Sequence, residues 1–334
     1  MSADQEKTVS RSVWNFVKIL LALVLVGFVL SKTDFKELIS LRGNIQSFWL
    51  AGVFLLYYLL TLLKALQYYF FLDRQVDYSK VLHVVVIQNA VSNFIAAGAG
   101  IASYLALFKV EHDVKISRSA LAFILTKVGD FISIWLLLFV SSLTIWNQIP
   151  VYHLAVKLVL GSIGAVVLVF FTTIVLRHNF ISLIRAVLEW LRLDRLSFVS
   201  KGTDFLQALV DQPQVFIFRV IGLGTMFSMV YMLVTMSWLY ASFRAFSLQI
   251  EWMVTVFVNS LLQLISYLPI QVMGGLGVNE GAVLYLYGAF DVSQVRLATV
   301  LIGSRVLFYL ANLIPLLYLP LYSCFSQKSP RSSK

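Results

Sequence analysis

Residues 113–128, DVKISRSALAFILTKV, find an ungapped partner in residues 291–306, DVSQVRLATVLIGSRV. The alignment pairs Asp113 with Asp291, Arg118 with Arg296, Ala120 with Ala298, Ile124 with Ile302 and Lys127 with Arg305. Two origins produce such a match: an internal duplication, or the narrow alphabet that apolar helices share. Upstream, with the register moved by one residue, Gly98 and Gly100 meet Gly275 and Gly277. A glycine inside a helix costs about 1 kcal/mol relative to alanine. Both stretches, 81–110 and 252–290, therefore read as helices broken at their glycines. Interrupted helices survive at membrane depth only where protein or a wet cavity surrounds them, a condition that hairpin-like re-entrant segments meet.

The rest of the chain supplies the membrane. Of its 334 residues 60% are hydrophobic and 13% charged, against about 45–50% and about 25% in soluble domains. No water-facing surface can be built from that mixture, and a disordered chain is excluded as well. A hydrocarbon core about 30 Å thick takes about 20 helical residues, which selects 14–31, 48–72, 119–144, 153–176, 214–241 and 295–325 as full spans. The expected fold is an all-α polytopic membrane protein with about six full spans and two re-entrant broken helical hairpins in an inverted-repeat arrangement. One integral membrane domain divides into an anchor helix and loop (1–47), a first repeat (48–176), an amphipathic linker (177–213), a second repeat (214–325) and a basic tail (326–334). Span 14–31 lacks a small-residue cleavage site and reads as a retained anchor.

Basic residues orient the helices. With both termini cytoplasmic and each hairpin returning to its side of entry, thirteen Lys and Arg between Arg74 and Lys334 fall in cytoplasmic loops. The outer loops keep Lys32, Lys36, Arg42, Arg244 and Arg296. This follows the positive-inside rule, with the 32–42 loop as a local exception. In the linker, Phe180, Leu183, Ile184, Val187, Leu188 and Leu191 recur at helical spacing opposite Arg185, Arg192 and Arg195. That pattern is a basic amphipathic helix for the cytoplasmic surface, where anionic lipid is its expected partner; it serves as a plain linker or as a regulatory element.

Ionisable residues inside spans cost about 2.5–3.5 kcal/mol at mid-bilayer and are default site candidates. Lys64, Lys127, Asp130, Glu280 and Arg305 lie deep, whereas Lys18, Lys157 and Arg219 sit where they can snorkel. Lys127 and Asp130, three apart, can pair with each other. The sequence GGLGVNEGA, residues 274–282, is the densest signal. Its glycines leave N–H groups uncovered and a half-helix beginning near Val278 aims its positive end into the break, a setting for an anionic head group. The candidate ligand-binding set is Gly274, Gly275, Gly277, Asn279, Glu280, Arg305, Lys127, Asp130 and Arg118. Internal pairing of Glu280 with Arg305 is the plainer alternative. Asn89 and Asn93 before the first break, and Asn259 and Gln263 before the second, line a polar passage or serve helix–helix hydrogen bonds.

Enzyme signatures are weak. The histidines His83, His112, His153 and His178 are scattered, Cys324 stands alone, and HExxH, nucleophile-elbow and P-loop patterns do not occur. No catalytic residue, cofactor, metal-ligand set or nucleic-acid partner is read from the chain.

At GGLGVNEGA and the helix that carries Arg305, the chain resembles the transmembrane region of lysylphosphatidylglycerol synthases, a broad family of flippase-like bacterial and archaeal membrane proteins. The resemblance runs from about residue 48 to 321 and is specific at Gly274, Gly275, Gly277, Glu280 and Arg305. At the first break it is weaker: relatives tend to show a glycine-acid pair and then an arginine, where this chain offers Ser103 and Lys109 in GAGIASYLALFK. In two-part relatives the region implies translocation of an aminoacylated phospholipid made by a separate soluble domain, and the tails and loops here are too short to hold one. The resemblance thus implies a lipid translocase of the bacterial cytoplasmic membrane, acting on a phospholipid or lipid-phosphate-linked molecule. The alternative is an intramembrane lipid-modifying enzyme or an accessory subunit of an aminoacyl- or glycosyl-lipid synthesis system. A second copy of the chain, or a separate lipid synthase, is a compatible partner.

Overall fold

The computed structural model describes residues 45–94, 97–190, 203, 207, 214–266 and 278–320. Among them the chain is almost entirely helical, with short turns between helices and no strand. The helices are α1 (Ser47–Phe71), α2 (Tyr78–Phe94), α3 (Ala97–His112), α4 (Ile116–Thr144), α5 (His153–Leu176), α6 (His178–Trp190), α7 (Gln214–Ala245), α8 (Trp252–Ser266), α9 (Val278–Gly288) and α10 (Gln294–Leu316). Five of these, α1, α4, α5, α7 and α10, are long and apolar enough to cross a bilayer, and α8 is a shorter apolar helix. They correspond to five of the six expected spans; the sixth, 14–31, lies outside the described residues. Large apolar side chains stand exposed along them, among them Leu55, Leu143, Leu154, Leu168 and Leu317. On a soluble protein such a surface would aggregate, whereas against acyl chains it costs nothing.

The duplication suggested by residues 113–128 and 291–306 is visible in the backbone. Asp113 (φ 53°) and Asp291 (φ 56°) both adopt the left-handed conformation that few side chains tolerate. Two residues later come N-caps of similar geometry, Lys115 (φ −57°, ψ 131°) and Ser293 (φ −53°, ψ 118°), followed by α4 and α10. The aligned arginines repeat a contact as well. Arg118 Nη2 donates to Asp73 Oδ2 (3.4 Å), in the turn after α1; Arg296 Nη2 donates to the Ser247 carbonyl (2.9 Å), in the turn after α7.

Helix packing obeys the same exchange of α1–α4 for α7–α10. In each half the second helix packs on the third, and the fourth helix crosses to the other half: α4 lies on α7 and α8, α10 on α1 and α2. The first helices, α1 and α7, pair antiparallel at the centre. Trp49 meets Tyr240, Tyr57 meets Trp238, and Phe70 meets Phe227. Antiparallel pairing of equivalent helices is the signature of an inverted repeat. Helices α5 and α6 have no counterpart in the second half among the described residues.

The first broken segment is a hairpin: α2 and α3 run antiparallel, with Gly100 against Ser92 near one end and His83 against Glu111 at the other. The break itself differs from the expectation. Helix α3 begins at Ala97, so Gly98 and Gly100 lie in its first turn and are helical; residues 95 and 96 lie outside the described residues. Gly100 is needed for close approach: a Cβ there would meet the Ser92 side chain and lie 2.9 Å from the Gln88 carbonyl. In the second segment the start of α8 faces the end of α9, with the Phe257 and Phe290 rings 6.1 Å apart. The connection, including Gly274, Gly275 and Gly277, lies outside the described residues.

One glycine sets the distance between the halves. A Cβ on Gly129 of α4 would come within 2.8 Å of Ser228 Oγ and 2.9 Å of the Gly224 carbonyl of α7. Backbone cannot yield as a flexible side chain does, so Gly129→Ala is expected to cost about 1–3 kcal/mol. Gly52→Ala, with nothing within 4 Å of its Cβ, is expected to be neutral or to stabilise by up to about 1 kcal/mol. Thermal unfolding of the two variants in one detergent checks the contrast.

Candidate functional site

The bundle interior carries three polar nodes. In the first, Lys64 of α1, buried to 10% side-chain exposure, lies 3.3 Å from Asp130 Oδ2 of α4, whose side chain is 2% exposed. Lys64 Nζ also donates to Gln67 Oε1 (2.9 Å), Gln67 Nε2 to Ser228 Oγ of α7 (2.7 Å), and Ser228 Oγ to Asp130 Oδ1 (2.8 Å). The circuit closes across three helices. The remaining direction of the ammonium faces the Tyr231 ring, 3.9 Å from its centroid. A buried charge this thoroughly partnered is tolerated where an isolated one would not be.

Lys127 joins from the side, 3.7 Å from Asp130 Oδ2, with its own side chain 45% exposed. It borders an apolar groove of 440 Å³ between α4 and α5, walled by Phe123, Phe131, Val166 and Phe170. The local pairing of Lys127 with Asp130 is therefore present, but Lys64 is the nearer cation.

The second node sits at the middle. The amide oxygen of Asn312 on α10 accepts from Tyr57 Oη of α1 (2.5 Å) and from Asn93 Nδ2 of α2 (2.6 Å). Asn93 also reaches Tyr57 Oη (3.2 Å), and the Asn312 amide nitrogen returns to the Phe308 carbonyl (2.7 Å). Asn93 thus serves helix–helix hydrogen bonding across three elements, as Asn259 does more weakly through Met236 Sδ. Asn89 and Gln263 are half-buried on α2 and α8.

The third node is the ion pair of Arg305 Nε on α10 with Glu280 Oε1 in the first turn of α9. The guanidinium stacks toward the Phe308 ring at 5.9 Å. Ser304 Oγ, next to Arg305 on α10, and Trp238 Nε1 of α7 are buried with no hydrogen-bond partner among the described residues. Both are polar atoms to which a ligand oxygen or water would be welcome.

Spacing connects the nodes. Tyr57 and Lys64 are seven residues apart on α1, and Arg305 and Asn312 seven apart on α10. Two helical turns place each pair on one face about 10 Å apart. The result is a polar seam running Arg305–Glu280, Asn312–Tyr57–Asn93, Lys64–Asp130. Lys127 and Arg305 each lie eleven residues into their helices, a rise of about 17 Å from the helix start.

A model of the lysylphosphatidylglycerol synthase TM region matches residues 15–315. The chain belongs to that family. It is a multi-pass membrane protein with a membrane-lipid-related function. No curated protein and no solved structure matches the chain.

Within this lysylphosphatidylglycerol synthase TM region, the structure brings together Lys127 with Asp130 and Glu280 with Arg305. Arg118 stands apart, at the exposed start of α4 on Asp73, about 14 Å along the helix from Lys127. Asn279 is the second residue of α9, and its side chain, like the three glycines, is outside the described residues. Gln67, Ser228, Tyr57 and Asn312 were not legible as members of the seam. Asn312 had a signal, its seven-residue spacing from Arg305. Ser228 had none, because serines in apolar helices commonly satisfy themselves on the carbonyl four residues back, as Ser141 and Ser242 do here.

Proposed function

We propose that the protein carries a phospholipid, or another lipid with a phosphate in its head group, between the leaflets of a bacterial cytoplasmic membrane. The observation that carries this reading is the seam: a largely apolar bundle holds charged groups at both ends of a polar line and an amide–phenol cluster between them. A phosphate crossing hydrocarbon needs replacement of its hydration, and cations with hydrogen-bond donors supply that replacement. Arg305 offers the planar fork that suits phosphate oxygens. Glu280 occupies the guanidinium until a head group displaces it, and at the start of α9 its charge remains favourable to the helix dipole. Lys127, half exposed beside an apolar groove, suits a lipid whose head meets the cation while its chains stay in the groove.

The excess of basic residues assigns the Asp113 end to the cytoplasm, with both termini there. Helix α6, with Leu183 and Val187 exposed, lies on that surface against anionic lipid. The sequence holds no nucleotide-binding motif, so the movement is passive or coupled to a gradient.

Reconstituted vesicles test the reading. With a fluorescent anionic phospholipid and a membrane-impermeant quencher, Arg305→Ala is expected to slow exchange between leaflets at least tenfold, with unchanged helicity and elution volume. Wild-type rates in both Arg305→Ala and Glu280→Gln would remove the assignment. Mass spectrometry of the same lipids separates movement from modification, since a covalently altered product would identify a lipid-modifying enzyme instead.

A further inference from the structure

The open end of the α2–α3 hairpin gathers two histidines that lie 29 residues apart in sequence. His83 is in the second turn of α2; Glu111 and His112 are the last two residues of α3. His83 Nδ1 lies 3.5 Å and His112 Nε2 4.0 Å from the same carboxylate oxygen, Glu111 Oε2. One ligand atom from each of the three falls within 4.8 Å of the others.

Local structure holds this arrangement. Left-handed Asp113 ends α3, and the Val114 N–H returns to the Phe108 carbonyl at 2.9 Å. The fully buried Phe108 ring sets its edge against His112 at 6.1 Å. The two imidazoles are mostly covered, at 15% and 8% side-chain exposure, while Glu111 reaches solvent at 39%. Glu111 and His112 border a polar cavity of 580 Å³ shared with Gln75, Lys80 and Asp113.

We infer that His83, Glu111 and His112 bind one divalent late first-row transition-metal ion, with zinc as the reference. Two imidazoles and a carboxylate are a common ligand set for such ions, at about 2.0–2.2 Å from the metal. Tetrahedral bonds of that length put ligand atoms about 3.3 Å apart, so the present spacings close with movements of about 1 Å at side-chain tips. A fourth position stays open toward the cavity for water or another oxygen ligand. The bound ion ties the beginning of α2 to the end of α3 and so fixes the hairpin where its arms would otherwise splay. This site is separate from the seam and does not rest on lipid movement.

The test uses full-length protein freed of any purification tag, stripped with chelator and held in lipid nanodiscs. Zinc titrated against a chromophoric competitor is expected to bind at one ion per chain. His83→Gln and His112→Gln should each weaken it at least tenfold, while a His153→Gln/His178→Gln variant keeps it. X-ray absorption of the zinc-loaded unmodified chain should show two imidazoles in the first shell, a readout that needs no variant to fold. Absence of stoichiometric binding, a first shell of oxygen alone, or unchanged affinity in a folded His83→Gln/His112→Gln variant would overturn the site.

Discussion

Asp130→Asn is expected to lower stability by about 3–5 kcal/mol, the cost of leaving a buried cation without its counter-charge. Lys64 loses the carboxylate at 3.3 Å and keeps only Gln67 and the Tyr231 face. Ser228 loses its anionic acceptor at 2.8 Å, which loosens its grip on Gln67 and therefore the α1–α7 contact. Lys127, with 45% exposure, can turn to lipid head groups or water and contributes less to the loss. The result separates charge from volume through a second variant. Lys64→Met/Asp130→Leu removes both charges at similar size and is expected to recover most of the lost stability. Thermal unfolding of wild type, single and double variants in the same detergent gives the cycle. Equal melting temperatures for Asp130→Asn and wild type would mean that Lys64 is neutral or solvated in the folded protein, against the geometry described above.

Arg305→Glu is expected to be as damaging as any single change at the seam. It sets two carboxylates against each other where an ion pair stood; at a separation of about 4 Å and an effective dielectric near 20 the repulsion is about 4 kcal/mol. Glu280→Arg should fail similarly, with the added penalty of a cation at the positive end of α9. Combining them restores opposite charges, so folded yield is expected to return toward wild type. Lipid exchange is not expected to return with it. The guanidinium then belongs to α9 and no longer shares a helix face with Asn312. Recovery of both fold and exchange in the swapped variant would make the pair a structural tie alone and would remove Arg305 as the phosphate-binding group.

Fold and site were unequally legible. Long apolar runs marked α1, α4, α5, α7 and α10 because a bilayer dictates their length and composition. The repeat showed through where backbone geometry restricts the residue, at Asp113 and Asp291, and where an arginine closes the preceding turn, at Arg118 and Arg296. Elsewhere any apolar side chain serves against lipid, and resemblance between the halves has no physical reason to persist. The ion pair of Glu280 with Arg305 was foreseeable, since each is costly alone in the membrane. The partner of Lys64 was not: Asp130 sits 66 positions away, and sequence spacing favoured Lys127, three residues off. Gly100 was read as a breaker when it is a contact, because composition does not distinguish a glycine that bends the chain from one that admits a neighbour.

The crossing-over of α4 and α10 has a consequence for biogenesis. Ribosomes deliver α1–α4 well before α7 and α8, yet the surfaces that α4 covers belong to those later helices. Until they are inserted, Asp130 has Lys64 but not Ser228, and the Gly129 face of α4 has only lipid or translocon beside it. The N-terminal half is consequently an unfinished object in the membrane, completed only when its successor threads in with opposite polarity. A nascent chain stalled in the 191–213 connection should be a preferred substrate for membrane quality-control proteases.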